Sequence, residues 1–141
     1  MVTVHYLFSI PYKDVPGAGL VPAVEVELHY GGQLARAVGV FDSGSTHTVF
    51  SVVHAETLGI DDVTQGELFR ATTMSGKPVE YYLFDVEMAL RIQEHPVRFP
   101  RRVGFFPVRS PRNILGRNLV FSRFEIGFKE SGQRVQIRPE E

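Results

Sequence analysis

The sequence predicts an all-β fold, closed or sandwich-like, with one or two short helices. Short β-rich segments recur along the 141 residues, several alternate apolar with polar positions, and Gly, Pro, Asn or Asp separate them. The apolar share of 43%, with eleven Phe and five Tyr, provides material for a core. We therefore expect one domain over residues 1–141, with an N-terminal strand and Pro/Gly loop (1–22), a core (23–137) and a tail (138–141).

In the first half of the chain, a turn signal separates each predicted element from the next. Gly31-Gly32 is typical of a two-residue hairpin, and Ser51 and Gly59 suit the beginning and end of a short helix. The predicted order is a strand (Val2–Ile10), a loop without regular structure (11–22), two hairpin strands (Ala23–Tyr30 and Gln33–Phe41), a turn, a short strand (Thr48–Ser51), a short helix (Ser51–Gly59) and a polar loop (Asp61–Gly66).

The second half is predicted as hairpins with one further helix. A long hairpin has Gly76 near its tip, and Pro100 and Pro107 interrupt the region that follows. The expected elements are hairpin arms (Glu67–Thr73 and Val79–Met88, extending to Ile92), one or two strands within Val97–Val108, a short helix (Leu119–Phe124) and a terminal hairpin (Phe124–Phe128 with Arg134–Ile137).

Composition argues against several classes of function. The net charge of −1 does not favour nucleic acid, and the absence of Cys excludes disulfides and thiolate chemistry. The five His are scattered without metal-ligand spacing, so we expect neither a metal nor a cofactor. No signal peptide or bilayer-length apolar segment is apparent, and the expected location is the cytoplasm without membrane association.

The triplet Asp42-Ser43-Gly44 is the strongest candidate for chemistry. It follows the apolar segment Ala37–Phe41, and small hydroxylated residues come after it. A turn that ends a rigid strand can aim a carboxyl into a cleft. Taken alone, the triplet also fits a structural turn in which Asp42 bonds its own backbone.

A second motif, Asn113-Ile114-Leu115-Gly116-Arg117-Asn118, lies near the C-terminus. With both motifs in this order, the chain resembles the retropepsin-like aspartic proteases, over roughly Ala23 to Ile137. That family pairs an apolar-apolar-Asp-[Thr/Ser]-Gly turn with an apolar-apolar-Gly-Arg-[Asp/Asn] segment. The resemblance implies a closed acid-protease-type β-barrel, a flap formed by the hairpin at Gly76, and activity as a symmetric homodimer.

Peptide hydrolysis by carboxyls needs two of them sharing a proton across one water. This chain has a single Asp-[Ser/Thr]-Gly turn, so the second Asp42 would come from another copy. The resemblance then implies an aspartic endopeptidase that acts on polypeptides. It assigns residues to catalysis (Asp42, Ser43, Gly44), to substrate binding (Thr46, His47, Met74, Ser75, Gly76, Arg112, Ile114) and to support behind the turn (Leu115, Gly116, Arg117).

The sequence departs from retroviral proteases at Thr46, where they usually carry an Asp that pairs with the Arg of the second motif. Arg117 therefore needs another partner. Arg112 is unusual for an apolar subsite, and we hypothesise that it permits acidic or polar substrate side chains. For the dimer sheet, the hairpin ending near Ile137 and the strand Val2–Phe8 are both open candidates.

Two other functions are compatible with the sequence. One is a dimerisation or peptide-binding module of the same fold with little turnover, because activity depends on fine geometry that sequence does not reveal. The other is a β-barrel ligand-binding domain with a chance Asx turn. For Tyr81 and Tyr82 we favour ordinary strand aromatics over a ring placed above the cleft.

Overall fold

The computed structural model describes residues 8–73, 75–92, 98–110 and 112–139. Of these residues, 56% lie in strands and 13% in helices, which confirms the predicted mostly β class. The strands are β1 (Phe8–Pro11), β2 (Lys13–Val15), β3 (Gly19–Val21), β4 (Ala23–Tyr30), β5 (Gln33–Phe41), β6 (Val49–Phe50), β7 (Glu67–Thr72), β8 (Pro78–Leu90), β9 (Phe99–Phe105), β10 (Asn113–Leu115), β11 (Phe124–Lys129) and β12 (Arg134–Pro139). The helical segments are α1 (Val52–Thr57), a π-helical turn (Arg117–Phe121) and two 3₁₀ turns (Val63–Gln65 and Glu130–Gly132).

Six strands form a closed ring of hydrogen-bonded neighbours. The order is β4-β5-β10-β6-β9-β8, and β8 pairs back with β4. The ring closes because β8 has 13 residues, enough to pair with β7 near its start and with β4 near its end. β9 occupies the opposite edge of β8, and β7 extends from the ring as the other arm of the β7–β8 hairpin.

A second sheet of three antiparallel strands, in the order β1-β12-β11, packs on the ring. Its inward residues Val135 and Ile137 are fully buried and belong to the same apolar cluster as Val24, Leu28 and Phe105 of the ring. Burial of these side chains provides the main stabilisation of the arrangement. The terminal hairpin, β11 with β12, was predicted correctly.

The segment 11–22 was predicted as a loop without regular structure, and that prediction was wrong. Lys13–Val15 and Gly19–Val21 pair as a small antiparallel hairpin. Gly17 and Gly19 have φ of +79°, a conformation that glycine adopts without steric cost. The Pro and Gly residues that suggested a loop therefore build the turn of the β2–β3 hairpin.

Two further predictions need correction. The helix placed at Leu119–Phe124 lies instead at Arg117–Phe121, since Phe124 already belongs to β11. The region Val97–Val108 contains one strand in its described part, and β9 runs through Pro100 without a break. Pro100 is tolerated there because only the far end of β9, at Gly104 and Phe105, pairs with β6 as well as β8.

Predicted elements also extend beyond the described residues. Most of the N-terminal strand (Val2–Ile10) lies outside them, and only Phe8–Pro11 is seen as β1. No helix in the described part of the chain is long and apolar enough to cross a membrane.

Candidate active site

The turn from Asp42 to Thr48 connects β5 to β6, but these two strands do not pair with each other. β10 lies between them, parallel to β5 with Leu115 beside Phe41, and antiparallel to β6 with Ile114 beside Val49. The two sequence motifs, some 70 residues apart, are therefore neighbours in space. The turn crosses the end of β10, which supports it from behind.

Asp42 lies at the start of this turn with its side chain exposed. Its backbone N–H donates to the carbonyl of Leu115 at 3.0 Å, and its Oδ1 accepts from the N–H of Gly44 at 2.9 Å. The second bond is the local Asx-type contact that the sequence allowed. Among the described residues nothing donates to Oδ2, so one oxygen of the carboxyl is bonded to the turn and the other is open to a ligand.

Gly116 lies directly against the backbone of the turn. A Cβ built on it would lie 2.2 Å from the carbonyl oxygen of His47 and 2.8 Å from that of Ser45, far inside van der Waals contact. Its N–H donates to Oγ1 of the buried Thr48 at 2.9 Å. Only glycine allows the end of β10 to lie this close to the backbone of the turn.

Arg117 has the partner that the sequence left open. Its guanidinium donates to Oγ1 of Thr46 at 3.2 Å, at the position where retroviral proteases usually carry Asp. Two backbone bonds add to this contact: the N–H groups of Arg117 and Asn118 donate to the carbonyls of Ser45 and Thr46, both at 2.9 Å. The second motif thus holds the turn mainly through its backbone.

A cavity of about 490 Å³ opens above the turn. The turn lines it with Asp42, Gly44, Ser45 and Thr46, and Ile114 of β10 contributes as well. The remaining walls are mostly apolar and come from β6, the β7–β8 hairpin and the residue after β9: Val49, Phe69, Ala71, Thr72, Thr73, Val79, Tyr81 and Phe106. A carboxyl at the edge of an apolar cleft is the usual composition of a site that binds an organic ligand.

Several of the predicted substrate-binding residues do not line this cavity. Ser75 and Gly76 lie at the exposed tip of the β7–β8 hairpin, where Gly76 has φ of +84°. Met74 lies outside the described residues. Arg112 is exposed and donates to the carbonyl of Gly17 at 3.0 Å, which ties β10 to the β2–β3 hairpin. The structure therefore gives Arg112 a contact that the sequence did not suggest.

His47 is not part of the cavity lining, but it contacts two residues that are. Its Nδ1 lies 2.7 Å from the hydroxyl of Tyr81, and its ring packs edge-on to Phe69 with centroids 4.4 Å apart. Burial lowers the pKa of His47, and so does the positive charge of Arg102, while the charge of Glu67 has a smaller, opposite effect. Burial also raises the pKa of Tyr81 to about 12. A neutral imidazole and a neutral phenol thus join the Asp42 turn to the β7–β8 hairpin.

We expect the lowered pKa of His47 to make the fold less stable in acid. Below about pH 6.5, His47 binds a proton in the unfolded chain but remains neutral in the folded protein until the pH is lower. The free energy of unfolding therefore falls as the pH drops through this range. In urea unfolding at several pH values, the free energy of unfolding should fall less between about pH 7.5 and 5 for His47→Gln than for the native chain. Above about pH 7.5 the difference between the two proteins should be constant, and equal pH slopes throughout would contradict the assignment.

The aromatic wall of the cavity was missed by sequence reasoning. Phe69 faces Tyr81 and Ala71 faces Val79 across the β7–β8 hairpin, so these side chains share one face. If the two predicted hairpin arms had been aligned as antiparallel strands around the turn before Pro78, this shared face would have been visible in the sequence. The interpretation of Tyr81 and Tyr82 as ordinary strand aromatics fits Tyr82, which packs on the main core, but not Tyr81, which lines the cavity.

Asn113 is a second residue whose role the sequence did not reveal. Its amide donates to the carbonyl of Val38 at 3.0 Å, and its Oδ1 accepts from the N–H of Ser51 at 2.8 Å. Its Nδ2 lies 3.3 Å from Nε2 of His54, whose pKa is lowered by burial. Asn113 therefore joins β5 and the start of α1 to β10.

Within the described residues no group of three or more His, Asp or Glu side chains could hold a metal ion. The chain matches no model of a known protein family. No curated protein shows significant similarity to it.

Proposed function

We propose that the protein is an aspartic endopeptidase whose site contains two Asp42 carboxyls, one from each subunit of a homodimer. The observation that carries this proposal is the placement of Asp42. Its carboxyl lies at an apolar cavity, on a turn whose backbone is bonded to the neighbouring strand β10. This is the arrangement a catalytic carboxyl needs, because a small displacement of such a group lowers activity strongly.

The chemistry follows from two carboxyls held close together. At about 3 Å they cannot both ionise, so one remains protonated and the other is a carboxylate. The carboxylate removes a proton from a water molecule, whose oxygen attacks the peptide carbonyl carbon while the protonated partner gives its proton to the carbonyl oxygen. The C–N bond of the resulting diol then breaks as a carboxyl protonates the departing nitrogen, and a proton from the diol returns the pair to its singly protonated state. The apparent pKa values of such a site belong to the pair. Ser43, exposed next to Asp42, would meet its counterpart in the other subunit.

The position of the β7–β8 hairpin favours a polypeptide as the substrate. Its arms form one wall of the cavity, and in the proposed enzyme it is the flap that covers the bound chain. The apolar wall, including Phe69, Tyr81 and Ile114, fits apolar substrate side chains, and Gly44 leaves room for the backbone of a substrate beside Asp42.

The test is a digestion of casein by the purified protein at about pH 4 to 7, with and without a pepstatin-type inhibitor. We expect cleavage that the inhibitor suppresses, because such inhibitors bind a formed pair of carboxyls. Inhibitor binding without cleavage would support a peptide-binding module instead. Neither cleavage nor binding, or a monomer by light scattering at micromolar concentration, would contradict the proposal.

A further inference from the structure

The three-stranded sheet β1-β12-β11 has β12 in the middle, so its outer edges are β1 and β11. We propose that β11 pairs antiparallel with β11 of a second copy, around a two-fold axis at Gly127, and that this contact brings the two Asp42 turns together. The inference rests on the proposed function, since only a two-subunit site requires the second copy. Of the two candidates that the sequence left open, it selects the hairpin ending near Ile137 over the N-terminal strand, and within that hairpin it names β11 as the pairing strand.

β11 contacts β5, the strand that ends immediately before Asp42. The ring of Phe128 lies edge-on to the ring of Phe41, with centroids 6.4 Å apart, and Phe41 immediately precedes Asp42. Phe121, in the π-helical turn before β11, contacts Phe41 in the same way at 6.3 Å. Because the packed rings fix this geometry, a partner seated on β11 has a defined position relative to the Asp42 turn.

β11 is also the better of the two edges for pairing. It has six residues and no proline, whereas β1 in its described part has four and ends at Pro11, which offers no N–H. After Pro11 the chain turns inward, and Tyr12 donates to the carbonyl of Gln133 at 2.8 Å. A proline-free, partly apolar edge strand is a ready template for another strand.

The sequence of β11 is self-complementary in one register. When Gly127 faces Gly127 of the second copy, Glu125 faces Lys129 of that copy, and the reverse pair forms on the other side of the axis. Opposite charges directly across an antiparallel pair are stabilising. Within its own sheet Glu125 also pairs with Arg138 of β12.

The same register covers exposed apolar surface. Phe128 is 47% exposed and would lie beside Ile126 of the second copy. Since the axis is perpendicular to the extended sheet, the Phe41 side of both copies lies on the same face. The two Asp42 turns are then on the same side of the interface, as a shared site requires.

Cross-linking tests the edge directly, because the native chain has no cysteine. Gly127→Cys should give a disulfide-linked dimer under mild oxidation, since directly opposed residues are within disulfide distance. Ser9→Cys, on the exposed face of β1, is the matched control and should remain monomeric on a non-reducing gel. Cross-linking through Ser9→Cys but not Gly127→Cys would overturn the proposal.

A charge exchange tests the register without relying on a disulfide. Lys129→Glu and Glu125→Lys should each weaken self-association about tenfold or more, because like charges then face each other twice per dimer. Mixing the two variants should restore association, since each Glu faces a Lys in the mixed dimer. Failure of the mixture to associate better than either variant alone would contradict the register.

These experiments separate the interface from the chemistry. Cross-linking and association are measured on protein that also carries Asp42→Asn, so they need no activity. A Gly127→Cys dimer made in the chain that keeps Asp42, and that cleaves nothing, would refute the endopeptidase and support the interface. An active protein whose β11 variants neither cross-link nor respond to charge exchange would refute the interface alone.

Discussion

Replacement of Asp42 by Asn should reduce the rate of casein cleavage by at least about 1000-fold. In the homodimer the substitution changes both carboxyls of the site, and an amide can neither take a proton from water nor hold the acid proton of the pair. The fold should be unaffected, because Asn has the same size and its side-chain oxygen can still accept from Gly44. The measurement is kcat/KM, together with an unfolding curve for each protein.

Asp61→Asn is the matched control for this prediction. Asp61 is exposed just beyond α1, outside the cavity lining, and we expect its replacement to leave the cleavage rate within about twofold. A rate for Asp42→Asn above a tenth of the native value would contradict the assignment of the reaction to this carboxyl.

Mixing experiments show whether two chains share one site. If subunits exchange, adding an equal amount of the Asp42→Asn chain should lower the activity per native chain to about half, and a threefold excess to about a quarter. This follows because a mixed dimer retains only one carboxyl. Activity that does not change with the added variant would place the whole site within one chain.

Local signals predicted much of the fold. Gly31 and Gly32 both have positive φ and join β4 to β5 in the expected register, with Tyr30 opposite Gln33. The turn at Gly76 and the terminal hairpin were found in the same way. Each of these features depends on residues a few positions apart, whose conformational preferences are visible in the sequence.

Long-range features were harder to predict because no short segment encodes them. The hydroxyl of Tyr81 and the ring of His47 are 34 positions apart in the chain, and Asn113 reaches a backbone group 75 positions away. The insertion of β10 between β5 and β6 is likewise a matter of tertiary packing. The resemblance indicated that the two motifs meet, whereas the individual contacts between them could be identified only from the three-dimensional structure.

The end of β10 and the turn above it form a close steric contact. Gly116 has φ of −99° and ψ of −175°, an extended conformation that any residue can adopt. Its requirement for glycine therefore comes from the neighbouring carbonyls and not from its own backbone. On one side the carbonyl of Leu115 accepts from the N–H of Asp42, and on the other Oγ1 of Thr48 accepts from the N–H of Gly116.

Gly116→Ala should consequently lower the free energy of unfolding by at least about 3 kcal/mol, because the new methyl must displace the backbone of Ser45 and His47. Any protein that remains folded should cleave more slowly, since moving this backbone also shifts Asp42. Gly132→Ala is the control: its methyl would meet only Lys129 at 3.9 Å, and the change should stay within about 0.5 kcal/mol. Urea unfolding of both variants measures the difference. If Gly116→Ala and Gly132→Ala had the same free energy of unfolding, β10 would not be in close contact with the Asp42 turn, and the support that we assign to Gly116 would be wrong.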